Sequence, residues 1–391
     1  MSIKSCQCPL SLLLILLSYL YGDTKALSLT KRKKSMSAVN TEARKLWGKD
    51  VVIDLEKFPT EDLIATIDGM TPHLEHGWFR GSEDHWLHYR KFVPKDPKAV
   101  VIYQHGIQAH SGVGYKVKDE RKVTNYAYLA ETLVENGIAV YLLDMRGHGF
   151  SEGLRFYVPD YSINVDDFDN FCQFVAASLT EKDLPLFLGG DSYGGTVCLH
   201  VSRRFQDNPD KCPAGFRGFI VTAPAIIGDL PPLPVVLFLR YILKPWFPTR
   251  TPFFMPNPVS GDRIWRNYDQ LVLDPTFNHT IEINLNGSGR AFRLGTAVSL
   301  LNALEDVRET TIPGLNVPFC VCHGTADAAV PITGTIYLDE KSTTPDADKC
   351  IHKEEDKFHD LYSEQTRHET VSHILNWINS RLDKAPFHSS K

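Results

Sequence analysis

From Ala99 onward, short apolar runs and helical stretches take turns along the chain, and no other feature limits its fold as strongly. Val100–Tyr103, Ile138–Leu143, Leu184–Leu188, Phe219–Thr222, Val317–Cys322 and Lys349–Lys353 read as strands. Helices are expected around Tyr126 to Glu135, over Asp166–Leu179, after Gly195, near Ile332 to Asp339 and over Thr366–Leu382. Gly137 closes the first of them. Such alternation predicts an α/β fold, a mostly parallel central sheet with helices on both faces. Ahead of it, Glu75–Ser82 and His85–Val93 read as a hairpin. The alternation stops between Pro224 and Pro313, a stretch rich in proline and aromatic residues. A structureless loop of that length is out of place in a compact domain. We read it as an inserted cap, or lid, over about 224–313, with Val235 to Leu243 an apolar helix inside it.

Two segments fit Gly-x-Ser-x-Gly: Gly190 to Gly194 and Gly149 to Gly153. Their settings differ. Ser192 follows a predicted strand and precedes a predicted helix, where a tight turn would lift its hydroxyl out of the sheet. Ser151 lies well past the end of its strand, and Pro159 follows where a helix would have to run. Ser192 is therefore the candidate nucleophile and Ser151 a turn residue.

A serine hydroxyl needs a base, and the base needs an orienting carboxylate. In this sheet type the order along the chain is serine, acid, histidine. Asp327 falls in the loop after the strand ending at Cys322, whereas Asp339 falls late in a helix. Of the histidines that follow, His352 lies in a strand, His368 and His373 in a helix and His388 in a frayed tail. His359 alone falls in the last strand-to-helix loop. Asp327 and His359 are thus the candidate acid and base. The backbone N–H groups of Tyr193 and Ile107 are the expected oxyanion donors, the second in the loop after Tyr103.

The chain has 391 residues, 43% of them apolar and 23% charged, which is ordinary for a globular protein. A net charge of -5 gives no reason to invoke nucleic acid. Residues 1–26 read as a signal peptide or a membrane-anchoring leader: Lys4 precedes the apolar run Leu10 to Leu20, and Thr24 and Ala26 offer a small-residue cleavage site. Residues 27–58 form a basic linker and connector, and Lys31 to Lys34 could instead hold an uncleaved leader at an anionic membrane. Cys6 and Cys8 could carry acyl chains. One large domain then spans 59–391. The secretory pathway is the expected location, and sequons at Asn278 and Asn286 fit it. Cys172, Cys198, Cys320 and Cys322 read as buried small hydrophobes rather than a zinc site, while Cys212 and Cys350 could pair.

Taken together, several motifs resemble the monoacylglycerol lipase and lysophospholipase branch of the α/β-hydrolases. They are His105-Gly106 with His110-Ser111-Gly112, Asp144 to Gly149 with Ser151-Glu152-Gly153, Asp166-Asp167, Gly190 to Gly195, His323 to Asp327 with Val330-Pro331, and Phe358 to Leu361. They run in the family's order from about Val100 to Leu382. The resemblance implies hydrolysis of carboxylic esters of single-chain lipids through an acyl-enzyme on Ser192, with no metal and no cofactor. It places Ser151 in a loop characteristic of the branch. Two departures bear on the head group rather than the reaction. Ile107-Gln108-Ala109 lacks a glutamate common before His-Ser, and Tyr193 stands where methionine is commoner. A cap and leader imply contact with a membrane surface. Acyl transfer or peptide hydrolysis on the same fold is the alternative, and a catalytically inactive lipid-binding scaffold is the alternative of another class. A dehalogenase would use an aspartate at the elbow, but the glycine spacing centres on Ser192, not Asp191.

Overall fold

A computed structural model of the chain describes residues 52–53, 74–112, 114–117, 120–123, 125–255, 258–265 and 291–388. The leader, Cys6 and Cys8, the basic cluster at Lys31 to Lys34, the sequons at Asn278 and Asn286, and residues 266–290 of the expected cap lie outside them. Eight strands form one sheet: β1 (Leu74–Arg80), β2 (Trp86–Phe92), β3 (Ala99–Gln104), β4 (Ile138–Leu143), β5 (Leu186–Asp191), β6 (Phe216–Thr222), β7 (Phe319–Gly324) and β8 (Lys349–Glu354). Their spatial order is β1-β2-β4-β3-β5-β6-β7-β8. The pairs β1–β2 and β2–β4 are antiparallel. Every pairing from β4 to β8 is parallel.

The helices are α1 (Asn125–Glu135), α2 (Tyr161–Ser178), α3 (Ser192–Asp207), α4 (Leu233–Phe238), α5 (Gly261–Ile264), α6 (Leu294–Asp306), α7 (Thr333–Lys341) and α8 (Arg367–Asn379). They cover both faces of the sheet, so β3, β4 and β7 bury every residue. The pleat sends alternate residues to two cores. Val100 and Ile102 join Phe168 and Phe171 of α2 and Val197 and Val201 of α3. Val101 and Tyr103 join Leu129 and Leu133 of α1 and Val371 and Ile374 of α8. Each such fully buried Phe or Leu contributes about 1.5–3 kcal/mol.

Most elements fall where the sequence puts them. One begins earlier: α2 starts at Tyr161 rather than Asp166, because the Asp160 carboxylate accepts from Ser162 N at 3.0 Å and caps it. Arg146 and Asp167 lock α2 to the β1–β2 turn. Arg146 Nε and Nη2 donate to Asp167 at 3.2 and 3.1 Å, and Nη2 also donates to the Ser82 carbonyl at 2.6 Å. The tail also differs from expectation. Phe387 N donates to Phe216 O at 2.9 Å and His388 Nε2 to Phe205 O at 2.7 Å, so His388 is tied down rather than frayed. Cys212 and Cys350 are both free thiols; Cys350 lies opposite Cys320 in the β7–β8 register instead.

Between β6 and β7 the chain leaves the strand-helix rhythm. The expected apolar helix is two pieces, α4 and a π turn over Leu239–Leu243. Only Val236 and Leu239 of them are buried. Leu233 and Tyr241 stand outward, as do Trp246 at 78% and Phe253 at 81% exposure. A helix packed wholly on the core would not leave them there. Among the described residues no helix is long and apolar enough to cross a membrane.

Candidate active site

β5 ends at Asp191, and Ser192 begins α3 with a left-handed φ of 50°. That conformation is strained for a residue with a side chain. Two glycines make room for it. A Cβ on Gly190 would strike the backbone of Gly194, and one on Gly194 would strike the carbonyls of Gln104 and His105. The second contact presses the elbow against the loop that follows β3. The helix begins at Ser192, not after Gly195, which brings its N-terminus into the site. Tyr193 N–H lies in the first turn, where no carbonyl stands four residues back, and the end of the helix dipole favours negative charge.

Asp327 and His359 arrive from the loops after β7 and β8. The Asp327 side chain is fully buried, and its Oδ1 accepts from Ala329 N and Val330 N, both at 2.8 Å. Burial penalises its charge, but the charges and hydrogen bonds of His359 and His323 overcome the penalty and hold the carboxyl well below the usual range. It is therefore ionised and can only accept. His359 Nδ1–H donates to Asp327 Oδ2 at 2.7 Å, which leaves Nε2 as the basic nitrogen. Burial opposes the charged imidazole; the Asp327 carboxylate more than offsets it, with Asp191 and Asp360 adding to the rise above the ordinary value.

Ser192 sits between two cavities. The smaller, about 60 Å³, is mixed in character: Ala109, Val259, Ile264 and Leu361 line it together with Tyr126, Asp191, Thr222, Trp265, His359 and Asp360. The larger, about 310 Å³, is apolar and is lined by Tyr193, Leu239, Met255, Phe292, Leu300 and Leu304 among others. Ile107 and Ser192 line both. The five residues singled out in the sequence thus come together, except that Asp327 reaches the cavities only through His359. Asp339 ends far along α7, bonded to Lys349, and His352 and His373 stack on each other with ring centroids 3.6 Å apart. Among the described residues, no group of His, Cys, Asp and Glu is arranged to hold a metal ion.

Ser151 is fully buried in a polar knot beneath the loop after β3. Its Oγ donates to the Asp144 carbonyl at 2.6 Å and accepts from His88 N at 2.9 Å. The Asp144 carboxylate accepts from Ser111 N at 2.6 Å, Phe150 N at 3.0 Å and His88 Nδ1 at 2.8 Å. Burial works against that charge, but His88 and Arg90 hold the carboxyl well below its ordinary value. His105 completes the knot, donating from Nδ1 to Gly106 O at 2.7 Å and accepting from Met145 N at 3.0 Å. The knot fixes both ends of the segment that carries Ile107.

Sequence reasoning did not single out Tyr126, Trp265, Asp360 or His323. His323 Nε2 stands 3.2 Å from Asp327 Oδ2, and Trp265 Nε1 donates to Asp360 at 3.1 Å. His323 and Asp360 were visible as parts of their motifs; Tyr126 and Trp265 reach the site only through tertiary packing.

A family model described as serine aminopeptidase, S33, matches residues 95–366. A rat monoglyceride lipase is 26% identical over 321 residues, covering 80% of this chain and 91% of that protein. An uncharacterised abhydrolase domain-containing protein of Dictyostelium discoideum is 28% identical over 306 residues; these are 78% of this chain but only 29% of that longer protein. The crystal structure of a monoacylglycerol lipase from Paleococcus ferrophilus superposes with a TM-score of 0.58 at 22% identity, covering 75% of this chain and 99% of that one. The strand order, the helices on both faces and this likeness make the fold an α/β-hydrolase fold.

Proposed function

Because the chain belongs to the α/β-hydrolase family described as serine aminopeptidase, S33, we propose that it is a carboxylic ester hydrolase acting on single-chain lipids. The observation that carries this reading is the placement of Ser192 between a large apolar cavity and a smaller, more polar one, with His359, Asp191 and Asp360 lining the smaller. An acyl chain fits the first and the alcohol of the ester the second. Ser192 attacks the carbonyl carbon while His359 Nε2 takes its proton. Asp327 holds the Nδ1–H tautomer and stabilises the imidazolium. The N–H groups of Tyr193 and Ile107 take the oxyanion, each donor being worth about 3 kcal/mol of barrier. The protonated imidazole then protonates the leaving alcohol, and water activated by the same nitrogen releases the acid. The serine chemistry takes its proton, its nucleophile and its oxyanion donors from these residues and a water.

The family's description names an aminopeptidase, whereas named relatives such as the rat protein are monoglyceride lipases. The aliphatic lining contributed by Leu239, Leu300 and Leu304 favours an acyl chain over a peptide. On the alcohol side, the carboxylates of Asp191 and Asp360 favour an uncharged polyol over a phosphate head group. The segment between β6 and β7 acts as a cap, and its outward Leu233, Tyr241, Trp246 and Phe253 support docking on a lipid surface. Residues 1–26 direct the chain to the secretory pathway, cleaved or retained as an anchor.

The test is a substrate panel: a monoacylglycerol, lysophosphatidylcholine, lysophosphatidic acid, a short p-nitrophenyl ester and an aminoacyl p-nitroanilide. Monoacylglycerol should be turned over fastest and lysophosphatidic acid least among the lipids. Ser192→Ala should lower hydrolysis by at least about a thousandfold and abolish fluorophosphonate labelling. Wild-type rates in that variant, or turnover confined to the anilide, would refute the assignment.

A further inference from the structure

The mechanism uses neither acid of the small cavity, and of the two Asp360 is engaged by Trp265 Nε1. Asp191 stands at the N-cap of α3, directly before the nucleophile, yet its side chain makes no capping bond to the helix. An N-cap aspartate ordinarily accepts from the first turn. Here the carboxylate turns away, and the Tyr126 hydroxyl of α1 approaches its two oxygens at 3.0 and 3.1 Å. The same hydroxyl accepts from Gly106 N at 3.5 Å. Gly106 is packed tightly in this corner: a Cβ there would lie 2.8 Å from Asp191 Oδ2 and 3.1 Å from Ser192 Cβ. Across the small cavity Asp191 and His359 feel each other's charge.

We propose that Asp191 is a positioning residue, a second carboxylate that faces the His359 imidazole and, through Tyr126, holds down the Gly106-Ile107 turn beside the nucleophile. The proposal rests on the reading of Ser192 as nucleophile and His359 as base. A capping role is ruled out by the missing cap bond, and a role as nucleophile by the glycine spacing around Ser192. What remains is a carboxylate joining three elements: α1 through Tyr126, the loop after β3 through Gly106, and the loop after β8 through His359. Each of the three carries a group the reaction needs in register.

The titratable groups facing Asp191 are Tyr126 from α1, Tyr103 from β3, and His359, Asp360 and Tyr362 from the segment after β8. His359 in turn faces Asp327, Asp191 and Asp360. Burial pushes the Asp191 carboxyl up to about 7, with the Tyr126 bond and His359 acting against the rise. As pH rises through that range Asp191 becomes an anion and supports the imidazolium that forms during attack. Without the charge, His359 loses one of the groups that raise its own pKa, so its neutral, basic form persists to lower pH.

The experiment is the pH dependence of the rate at which a fluorophosphonate labels Ser192, measured on the full chain. It needs no knowledge of the natural substrate. For Asp191→Asn the acid limb should move down by roughly one pH unit, and the plateau rate should fall about tenfold. Tyr126→Phe removes the bond that stabilises the Asp191 anion. Its deficit should be large at pH 7 and shrink as pH rises. Asp191→Glu should restore the wild-type limb at least in part. A merely structural role would lower rates at every pH and leave the limb where it is, and that result in Asp191→Asn overturns the proposal. So does a Tyr126→Phe deficit that stays constant with pH, which covers the case in which Asp191→Asn fails to fold. Failure of the underlying hydrolase reading looks different. Wild-type protein would then show no labelling that Ser192→Ala removes, and the proposal would fall with it.

Discussion

Ser192 and Ser151 share a local pattern and have opposite surroundings. One hydroxyl opens onto two cavities from a strained backbone; the other is sealed between the Asp144 carbonyl and His88 N–H. Ser151→Ala should therefore leave fluorophosphonate labelling intact while lowering unfolding stability by about 1–3 kcal/mol, the cost of orphaning buried polar groups. A urea midpoint equal to wild type would show that those bonds contribute nothing net. The distinction was legible in sequence because a nucleophile elbow needs a strand before the serine and a helix after it. The role of Asp191 was not legible. Its neighbour in sequence is Ser192, but its side chain answers to Tyr126, a residue placed by the docking of α1 on the sheet. No local pattern encodes which way a carboxylate turns once two helices have packed.

At the scale of elements, strands were the clearest feature. A parallel strand buried on both faces must be apolar throughout, and β4 lies at Ile138–Leu143 as expected. The start of α2 was hidden because a capping aspartate and polar first turn resemble a loop. Charge inside the fold was also hidden. β2 supplies His88, the loop after β3 supplies His105 and the loop after β4 supplies His148, all fully buried. Burial lowers His88 and His105 to about 4 and holds His148 well below its ordinary value. In the unfolded chain each titrates near 6.5, so below that pH the unfolded state binds protons the native state refuses. Stability should therefore be fully present above about pH 6.5 and decline as pH falls toward about 4, by about 1.4 kcal/mol per pH unit for each proton involved. Urea unfolding between pH 7 and 5 checks the sign. A midpoint that holds steady or rises on acidification would mean that these histidines are protonated in the native protein. The weakening should be felt first where the knot anchors the Ile107 segment.

For the molecule as a whole, the outward side chains between β6 and β7 lie on the same segment as Leu239 and Met255, which line the apolar cavity. A lipid surface touched there would be next to the entrance for an acyl chain. Trp246 and Phe253 do not line either cavity, so the double variant Trp246→Glu with Phe253→Glu separates docking from chemistry. It should sediment less with phosphatidylcholine vesicles and act several-fold more slowly on vesicle-borne monoacylglycerol, while hydrolysis of a soluble p-nitrophenyl ester stays at the wild-type rate. Equal vesicle binding would exclude this face as the docking surface. The proline and aromatic content of this segment announced that the sheet's rhythm was interrupted, but not how its helices break.

The groups of the site also enter in a fixed order. The loop of Ile107 follows β3 and Ser192, the proposed nucleophile, follows β5, two neighbours at the middle of the sheet, whereas Asp327 and His359 follow β7 and β8 toward its far edge. A chain emerging from a ribosome therefore exposes Ser192 long before it holds anything able to activate it. On the proposed roles, a growing or clipped chain carries an inert serine until β8 has docked and brought His359 to Asp327. On the proposed mechanism, an unfinished copy could not attack an ester it met.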